Sequence, residues 1–279
     1  VAGYTMDYHN QLVEQIYGGD LYGHFWRFDV SDSDPNNWTV VELATLTDAA
    51  GAAQPVTTPP QIEVDLVNGV DRWVFIGTGR LLDDTDLTDP KIADQQQTLY
   101  AIRDGTGVSP LAFTATLNPR TDPVPFDKLT DRTKGLSAKP AKGWYDDLPL
   151  GQRIVTPVQA TYSMVAYLGT SAQDDPCLTG QPATLYAREY SQGNSLLTDS
   201  GGAIVPGILI PEGGVGLEIV NFADNSSDPT FPGLRIATTP RTTGLPSFIA
   251  CAETSRLRRR GTVGRRSGSS HPDLGWPCC

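Results

Sequence analysis

The sequence predicts an all-β protein built from many short strands. Glycine (28) and proline (22) are frequent among the 279 residues, and only 19% of the residues are charged. Such a composition suits short strands joined by turns, and no long run keeps the apolar spacing of an amphipathic helix. No apolar run approaches the ~20 residues that a membrane-spanning helix requires.

The clearest single element is a β-hairpin near the start of the chain. Segment Ile16–Val30 reads IYGGDLYGHFWRFDV, with two apolar stretches around a glycine-rich turn. In the second stretch, Trp26 and Phe28 alternate with polar residues, which is the period-two pattern of a strand. Glycines supply the turn conformations that bulkier residues resist. We therefore predict a hairpin whose large rings pack between neighbouring sheets.

A second pattern recurs further along the chain. Segment WVFIGTG (73–79) leads through a loop to TLYAIRDG (98–105), and MVAYLGT (164–170) leads through a loop to TLYAREY (184–190). A strand that ends in Gly-Thr, followed by a strand that opens with Leu-Tyr-Ala, is an internal repeat. Its length is typical of the repeats in β-propellers.

Together these patterns predict strands along most of the chain. The predicted strands are 14–19, 24–30, 38–43, 61–66, 72–77, 97–103, 111–117, 152–158, 162–169, 183–190, 204–210, 216–221 and 233–239. At about four strands per blade they make about three blades, whereas a closed propeller has about four to eight. We therefore predict a partial β-propeller over residues 1–254, the C-terminal part of a larger propeller whose other blades precede Val1.

Two loops and a tail interrupt the strand pattern. Residues 119–142 are rich in proline, lysine and aspartate, and the segment 83–94 is acidic; both suggest exposed loops on a propeller rim. Alternation stops near Thr254, and residues 255–279 are predicted to form a disordered basic tail. A reading-frame change near Ser255 is one explanation for this abrupt loss of pattern.

The charge distribution argues against nucleic acid as a partner. The net charge is −11, yet six arginines lie within residues 256–266. Residues 1–254 hold 15 basic and 31 acidic residues. Phosphate binding requires a basic surface, so the acidic body is not expected to bind nucleic acid.

The cysteines do not decide whether the chain resides in an oxidising or a reducing compartment. Of the four cysteines, only Cys177 and Cys251 lie within the predicted domain, and Cys278 and Cys279 are adjacent at the end of the chain. A disulfide between Cys177 and Cys251 is one alternative, which the spacing alone does not decide.

Five segments, in this order, resemble a known family. These are IYGGDLYGHFWRFDV, AQPVTTPPQIEVD, WVFIGTGRLLDD, QQQTLYAIRDG and GWYDDLPLGQRIVTP. They resemble the C-terminal β-propeller of the PilY/PilC family of type IV pilus tip adhesins and biogenesis factors. The resemblance covers residues 17–104 and 143–190 and is weak beyond 195. This chain departs from the family pattern at His24, where asparagine is usual, and in its C-terminal residues.

The resemblance implies a fold, a role and a location. The fold would be a modified propeller of about seven blades. The role would be a non-enzymatic scaffold that supports pilus biogenesis, surface attachment and twitching motility. Minor pilins and the pilus tip complex would be its partners, together with a ligand on a host or abiotic surface. The location would be the cell surface, at the pilus tip or outer membrane, after export by a signal peptide that this chain does not contain.

Calcium regulation is a further implication of the resemblance, since the family has a calcium loop just before the hairpin. The corresponding oxygen donors here are Asp7, Asn10 and Glu14, and Ca²⁺ prefers such ligands. Gln11 and Leu12 occupy the bend, where the family pattern has glycine. The alternative is a solvated turn without bound metal.

Two other acidic segments are weaker calcium candidates. Asp32, Asp34 and Asn36 follow the alternating opening of a calcium loop, although Pro35 stiffens the segment and Leu43 stands where glutamate is expected. Segment DDTDLTD (83–89) clusters four aspartates. Ordinary turn chemistry is the alternative for both segments.

No residue is nominated for catalysis. General acid–base chemistry most often uses histidine, and the three histidines are His9, His24 and His271. The alternative function is a quinoprotein (PQQ-dependent) dehydrogenase-like propeller, because LYAIRDGTG resembles a repeat phrase of those enzymes, although the regular tryptophan-docking repeat is lacking. A carbohydrate-binding propeller is a third possibility.

Overall fold

A computed structural model describes residues 1–7, 9, 11–66, 70–122, 126–161, 163–171, 181–222, 233–240 and 247–250. Strands dominate this part of the chain, and its helices are single turns. The predicted all-β class is therefore confirmed. None of the described helices is long and apolar enough to cross a bilayer.

The first sheet contains the predicted hairpin. Its strands, in spatial order, are β1 (Ala2–Tyr4), β2 (Gln15–Gly19), β3 (His24–Asp29) and β4 (Thr39–Thr45), all antiparallel. Gly23 closes the turn with a φ of 79°, and a β-carbon there would collide with the Leu46 carbonyl. Only glycine fits this position, as the glycine-rich turn predicted.

The second sheet lies next in the chain. Its strands are β5 (Gln61–Val64), β6 (Asp71–Gly77), β7 (Thr98–Thr106), β8 (Asp127–Lys128) and β9 (Gly143–Asp147), in the spatial order β5-β6-β7-β9-β8. Strand β8 pairs with β9 in parallel, and the other pairs are antiparallel. Between β6 and β7 the chain forms two single-turn helices, α1 (Thr85–Thr88) and α2 (Pro90–Ala93).

The third sheet contains the second copy of the repeat. Its strands are β10 (Gln152–Arg153), β11 (Gln159–Thr161), β12 (Met164–Ser171), β13 (Ala183–Glu189) and, after a small pair, β16 (Ile208–Ile210). The small pair is β14 (Leu197–Thr198) with β15 (Ile204–Val205). A last antiparallel sheet joins β17 (Gly214–Phe222), β18 (Gly233–Pro240) and β19 (Ser247–Ala250). Among the described residues, no sheet closes on itself.

The three large sheets are stacked face to face. Tyr17 and Phe25 of the first sheet pack with Ile76 and Tyr100 of the second. Trp73 and the other residues on the opposite face of the second sheet pack against the third sheet. Leu197 of β14 and Leu217 of β17 cover the far face of the third sheet. Burial of this apolar surface is the main stabilising contribution to such a stack.

Most predicted strands are confirmed, but residues 111–117 are not a strand. Only Leu117 makes an isolated bridge, to Ala44. The backbone of Leu111 is used instead by side chains, because its N–H donates to Asp104 and its carbonyl accepts from Arg27. Side-chain bonds have therefore replaced the strand ladder at this point.

Other strand predictions need shorter or new boundaries. The strand predicted at 152–158 ends at Arg153, because the Ile154 N–H crosses to the Thr78 carbonyl of the second sheet. The strand predicted at 204–210 is split at 206–207. Strands β1, β8, β9, β11, β14 and β19 were not predicted.

The orientation of β3 corrects a prediction about the core. Its buried residues are Phe25 (0% exposed) and Arg27 (6%), whereas Phe28 is 38% exposed and Trp26 is partly exposed. Large aromatic residues of the second and third sheets, in contrast, are buried between sheets. These are Trp73, Phe75, Tyr100, Trp144 and Tyr186.

Several predictions concern residues outside the described part of the chain. The tail 255–279, all four cysteines and His271 belong to this group. The predicted tail and the alternative disulfide therefore stay predictions.

Candidate functional site

The first calcium candidate is a short turn before β2. One oxygen of Asp7 accepts the backbone N–H of His9 at 2.9 Å and faces the His9 ring nitrogen at 3.1 Å. The backbone of Glu14 pairs with Tyr4 and Val30, and Gln11 has a φ of 55°. Asn10 lies outside the described residues. The structure thus places Asp7 in a local turn, and a calcium site here stays a prediction.

The second calcium candidate forms a series of side-chain turns. Asp32 accepts the N–H of Asp34 at 2.8 Å, and Asp34 accepts the N–H of Asn36 at 3.0 Å. Pro35–Asn37 is a 3₁₀ turn. The bonds from Asp34 and from the Asn37 side chain lower the pKa of Asp32. Because the loop itself uses these oxygens, a bound cation would compete with the turn bonds.

The acidic loop 83–94 is ordered by some of its own aspartates. Asp83 accepts from Thr85, which lowers the pKa of Asp83, and Asp89 accepts the N–H of Lys91 at the start of α2. Asp86 is fully buried, and its carboxylate lies 2.6 Å from the Arg80 guanidinium. Asp84 and Asp94 are exposed. The loop therefore presents carboxylates on a fixed backbone.

The side chain of Arg153, from β10 of the third sheet, anchors this acidic loop. The side chain is only 2% exposed, and it donates to three backbone carbonyls: Arg80 at 2.9 Å, Asp86 at 2.8 Å and Ala93 at 3.3 Å. Burial lowers the pKa of the guanidinium. One buried side chain from β10 thus fixes both single-turn helices of the second sheet.

The long loop 119–142 is also anchored by ion pairs. Near its start, Arg120 lies 2.6 Å from Asp147, which also contacts Lys128 at 2.9 Å. At its end, Lys142 lies 2.7 Å from Asp122. Lys139 lies 2.5 Å from Asp71 of β6. Ion pairs therefore hold the described residues of this loop in place despite their composition.

An open groove runs along this loop. Its volume is about 440 Å³, and its lining includes Lys128, Leu136, Ser137, Lys139 and Pro140. Lys128 and Lys139 are already paired with carboxylates, as described above. The groove and the acidic loop are surfaces on which a rigid scaffold can present a binding site.

Buried ion pairs join the stacked sheets, and sequence reasoning missed them. The joint between the second and third sheets, here the Asp146 joint, centres on Asp146 of β9. Its carboxylate lies 2.7 Å from Arg132 and 3.1 Å from Arg188 of β13, and it accepts from the Tyr167 hydroxyl at 2.5 Å. Asp146 and Arg188 are both 0% exposed. Burial and the nearby Asp146 raise the pKa of Tyr167.

The joint between the first and second sheets, here the Asp104 joint, has a similar composition. Asp104 of β7 lies 2.5 Å from Arg27 and accepts from the Tyr17 hydroxyl at 2.7 Å. Arg72 donates to Tyr17 and Gln15, at 3.1 and 3.0 Å, rather than to Asp104. The signal in the sequence was an arginine within an apolar strand, since an arginine there must find a partner when buried.

Within the described part of the chain, no group of three or more His, Cys, Asp or Glu side chains forms a metal site. His24, the first residue of β3, lies 2.8 Å from Asp20 of the hairpin turn. His9 contacts Asp7 on the surface.

Sequence comparisons relate the chain to type IV pilus proteins. No family model matches it. Two segments match proteins named type IV pilus biogenesis factor PilY1 homolog from Xylella fastidiosa, with 37% identity over 83 residues in one match and 26% over 207 residues in the other. PilY1 of Pseudomonas aeruginosa is 25% identical over 234 residues, in a match that covers 67% of this chain. The chain spans only 6 to 20% of the length of these relatives.

A structural comparison agrees with the sequence matches. The crystal structure of the P. aeruginosa PilY1 C-terminal domain superposes with a TM-score of 0.59 at 18% identity. The match covers 81% of this chain and 56% of the PilY1 chain. The names of the relatives describe biogenesis factors rather than enzymes, in agreement with the prediction that the chain is not an enzyme. The predicted resemblance to the PilY1-type C-terminal domain is thus confirmed, in sequence by the PilY1 relatives and in fold by the superposed domain.

Proposed function

We propose that this chain belongs to a type IV pilus biogenesis factor and acts as a non-enzymatic scaffold. The observation that carries the proposal is the match to PilY1 proteins over two thirds of the chain, together with the shared fold. The names of the relatives give no support to the quinoprotein alternative. Minor pilins and the pilus tip complex are the proposed partners, and the cell surface is the proposed location.

We further propose that the scaffold is part of a β-propeller and that the three large sheets are blades. Their edge strands support this arrangement, because β5 contacts both β1 and β11, which are edge strands of the neighbouring sheets. In a propeller the innermost strands of successive blades meet around the axis in this way. About three of about seven blades would then lie in this chain.

Tip adhesion is the finer part of the proposal, and it assigns the binding to exposed loops. The acidic loop presents Asp84 and Asp94 to solvent, and the groove lies along loop 119–142. The acidic loop is fixed by the buried Arg153, and loop 119–142 is anchored by ion pairs. A fixed loop loses little conformational entropy when it binds, which favours affinity.

The test separates biogenesis from adhesion in a piliated cell whose own biogenesis factor is deleted. The full-length gene is returned with Asp84→Asn and Asp94→Asn together, or with Glu212→Gln as the matched control on another exposed carboxylate. Surface pili, twitching and attachment are measured. We expect normal pili in all strains and reduced attachment only with the double substitution. Unchanged attachment would reject the acidic loop as the adhesive surface, and failure of the unsubstituted gene to restore pili would reject the biogenesis role.

Calcium regulation is a separate proposal for the same protein. It assigns Ca²⁺ to Asp7, Asn10 and Glu14, with Asp32, Asp34 and Asn36 as the weaker site. Isothermal titration of the full-length protein with Ca²⁺ tests it, with Asp7→Ala/Glu14→Ala and Asp32→Ala/Asp34→Ala as the two variants. Micromolar binding that is lost only in the first variant would support the first site, and no heat in the unsubstituted protein would reject both.

A further inference from the structure

The outermost strand of the first sheet has a backbone edge that is open over half of its length. This strand, β4, has a neighbour on its outer side only near its end. There the Leu117 N–H donates to the Leu43 carbonyl, and the Leu117 carbonyl accepts from the Thr45 N–H, both at 2.9 Å. No backbone bond from the described residues reaches the outer side of the other half, Thr39–Glu42. We call this half the β4 edge.

The hydrogen bonds of β3 show which groups of the β4 edge point outward. The His24 carbonyl accepts from the Asp20 N–H at 3.1 Å, on the side of β3 that faces β2. Residues along an antiparallel strand bond alternately to its two neighbours, so Phe28, like His24, bonds to β2. Val40 lies opposite Phe28. The N–H and C=O of Val40 therefore point away from β3, toward the outside of the sheet.

The second sheet treats its corresponding edge differently. Its strand β9 is fourth in the spatial order, as β4 is in the first sheet, and the parallel strand β8 covers it from outside. Natural edge strands are usually covered or interrupted, because an open edge pairs with other chains. The β4 edge has the sequence TVVE, and β-branched residues favour strand pairing. Since Val40 is 54% exposed, the β4 edge is accessible to an added strand.

The charge around the β4 edge restricts what can bind there. The stretch 28–71, which contains the edge, holds eight acidic residues and no lysine or arginine. Glu42 lies on the edge itself, and Asp29 lies opposite Thr39 at its other end. A second copy of this chain would bring the same acidic edge, and like charges on paired strands are destabilising. The complementary partner is therefore basic.

We propose that the β4 edge is a binding site for an extended, basic segment of a separate protein, which adds a strand to the first sheet. The main chain of the segment would exchange hydrogen bonds with Val40, and a lysine or arginine side chain would pair with Glu42. Main-chain bonds contribute affinity in this mode of recognition, and the side chains contribute selectivity. The site is separate from the acidic loop and from the groove along loop 119–142.

Fluorescence anisotropy with synthetic probes tests the proposal on the full-length product of the gene. The main probe is a short labelled peptide of alternating lysine and valine. A glutamate–valine peptide tests the charge, and a lysine–valine peptide with alternate backbone amides N-methylated tests the main-chain bonds. The N-methylated probe requires no change in the protein, so its result does not depend on the folding of a variant.

Two substitutions with matched controls test the same contacts from the side of the protein. Val40→Pro removes the outward N–H without removing a bond inside the sheet. Its control is Val40→Ala, which keeps this N–H. Glu42→Gln removes the charge but keeps an oxygen that accepts from the Thr45 hydroxyl. Its control is Glu212→Gln, at an exposed carboxylate outside the first sheet.

We expect saturable binding of the lysine–valine peptide. Its Kd should rise about tenfold with Val40→Pro or with N-methylation, since each removes main-chain bonding. Glu42→Gln should raise the Kd about threefold, as is typical of an exposed ion pair. Both controls should bind like the unsubstituted protein.

Several results would overturn the proposal. These are no saturable binding, equal binding of the glutamate–valine or the N-methylated peptide, and unchanged binding to Val40→Pro. Slow hydrogen exchange of residues 39–42 in the free protein would also overturn it, because another part of the protein would then cover the edge. None of these measurements uses pili, so a failure here is distinguishable from a failure of the biogenesis role.

Discussion

The two joints between the stacked sheets use the same types of side chain but distribute charge differently. In the Asp146 joint, one carboxylate contacts two arginines, Arg132 and Arg188. In the Asp104 joint, Arg27 is the one arginine in the described part of the chain that contacts the carboxylate, and Arg72 donates to neutral oxygens instead and lies over the ring of Tyr4, 3.8 Å from its centre. The second sheet supplies the carboxylate to both joints.

This difference predicts which joint is more sensitive to the loss of its carboxylate. A buried charge without a partner costs much more than a buried ion pair contributes. The number of arginines that depend on one carboxylate therefore predicts the effect of removing it. Asp146 supports two such arginines, and Asp104 supports one.

The largest effect is expected from Asp146→Asn. The substitution leaves Arg132 and Arg188 without a carboxylate in a buried site, so the free energy of unfolding should fall by about 3–5 kcal/mol. Urea denaturation followed by tryptophan fluorescence measures it. The control is Glu212→Gln on the surface, which should leave the midpoint unchanged. A loss no larger than that of the control would show that Arg132 and Arg188 do not depend on Asp146.

Asp104→Asn should have a smaller effect in the same assay. Arg27 loses its carboxylate but keeps its bond to the Leu111 carbonyl at 3.0 Å, so we expect a loss of about 2–3 kcal/mol. The double variant Arg27→Met/Asp104→Leu should recover most of this loss, because it leaves no charge behind. The comparison of the joints would be wrong if Asp104→Asn were the more damaging of the two single substitutions.

The acid sensitivity of the stack should depend partly on Asp147, the neighbour of Asp146. Burial would raise the pKa of Asp147, but hydrogen bonds from Arg120, Lys128 and Thr98 outweigh burial and lower it below the ordinary value of 3.8. Its contribution to stability is therefore complete above that value and is lost as the pH falls through the lowered pKa. Thermal melts between pH 7 and 2 should show a shallower acid decline for Asp147→Asn than for the unsubstituted protein. An unchanged slope would exclude Asp147 as a source of acid sensitivity.

The smallest expected effect on stability comes from the His24–Asp20 pair at the hairpin turn of the first sheet. It occurs at a higher pH than the effect of Asp147. The hydrogen bond to Asp20 raises the pKa of His24 above its ordinary value of 6.5. The pair therefore stabilises the turn fully below that value, and this stabilisation is lost as the pH rises through the raised pKa. NMR titration of the His24 ring should show the raised pKa, and Asp20→Asn should return it toward 6.5. An ordinary pKa in the unsubstituted protein would mean that the pair does not form in solution.

The regular hairpins were predictable from sequence because their signals are local. The turn around Gly23 and the repeated Gly-Thr and Leu-Tyr-Ala segments placed β2, β3, β6, β7, β12 and β13 within a few residues of the observed boundaries. Strand β9 lacked such a signal. Its sequence GWYDD includes two aspartates that are buried only because arginines from elsewhere in the chain reach them.

The faces of the strands were less predictable, since they depend on register. Gly77 pairs with Leu99, whereas the equivalent Gly169 pairs with Thr184, one residue short of the equivalent leucine. A slip of one residue turns the side chains of a strand to the other face. Ile76 accordingly packs toward the first sheet, while the equivalent Leu168 packs away from the second. Repeated sequence segments thus do not guarantee that their side chains point to equivalent faces.

The two joints escaped prediction because their partners are distant in sequence. The calcium candidates stay predictions.

Arg153 has a consequence for how this protein can change over generations. Arg153 binds the acidic loop through backbone carbonyls. Every amino acid supplies such a carbonyl, whatever its side chain. The path of the loop therefore depends on few of its own side chains, mainly those of Asp83, Asp86 and Asp89. Surface positions such as Asp84 and Asp94 are free to drift or to be selected for new ligands while the scaffold beneath them stays the same. The binding surface of the protein can therefore change during evolution without a change in its fold.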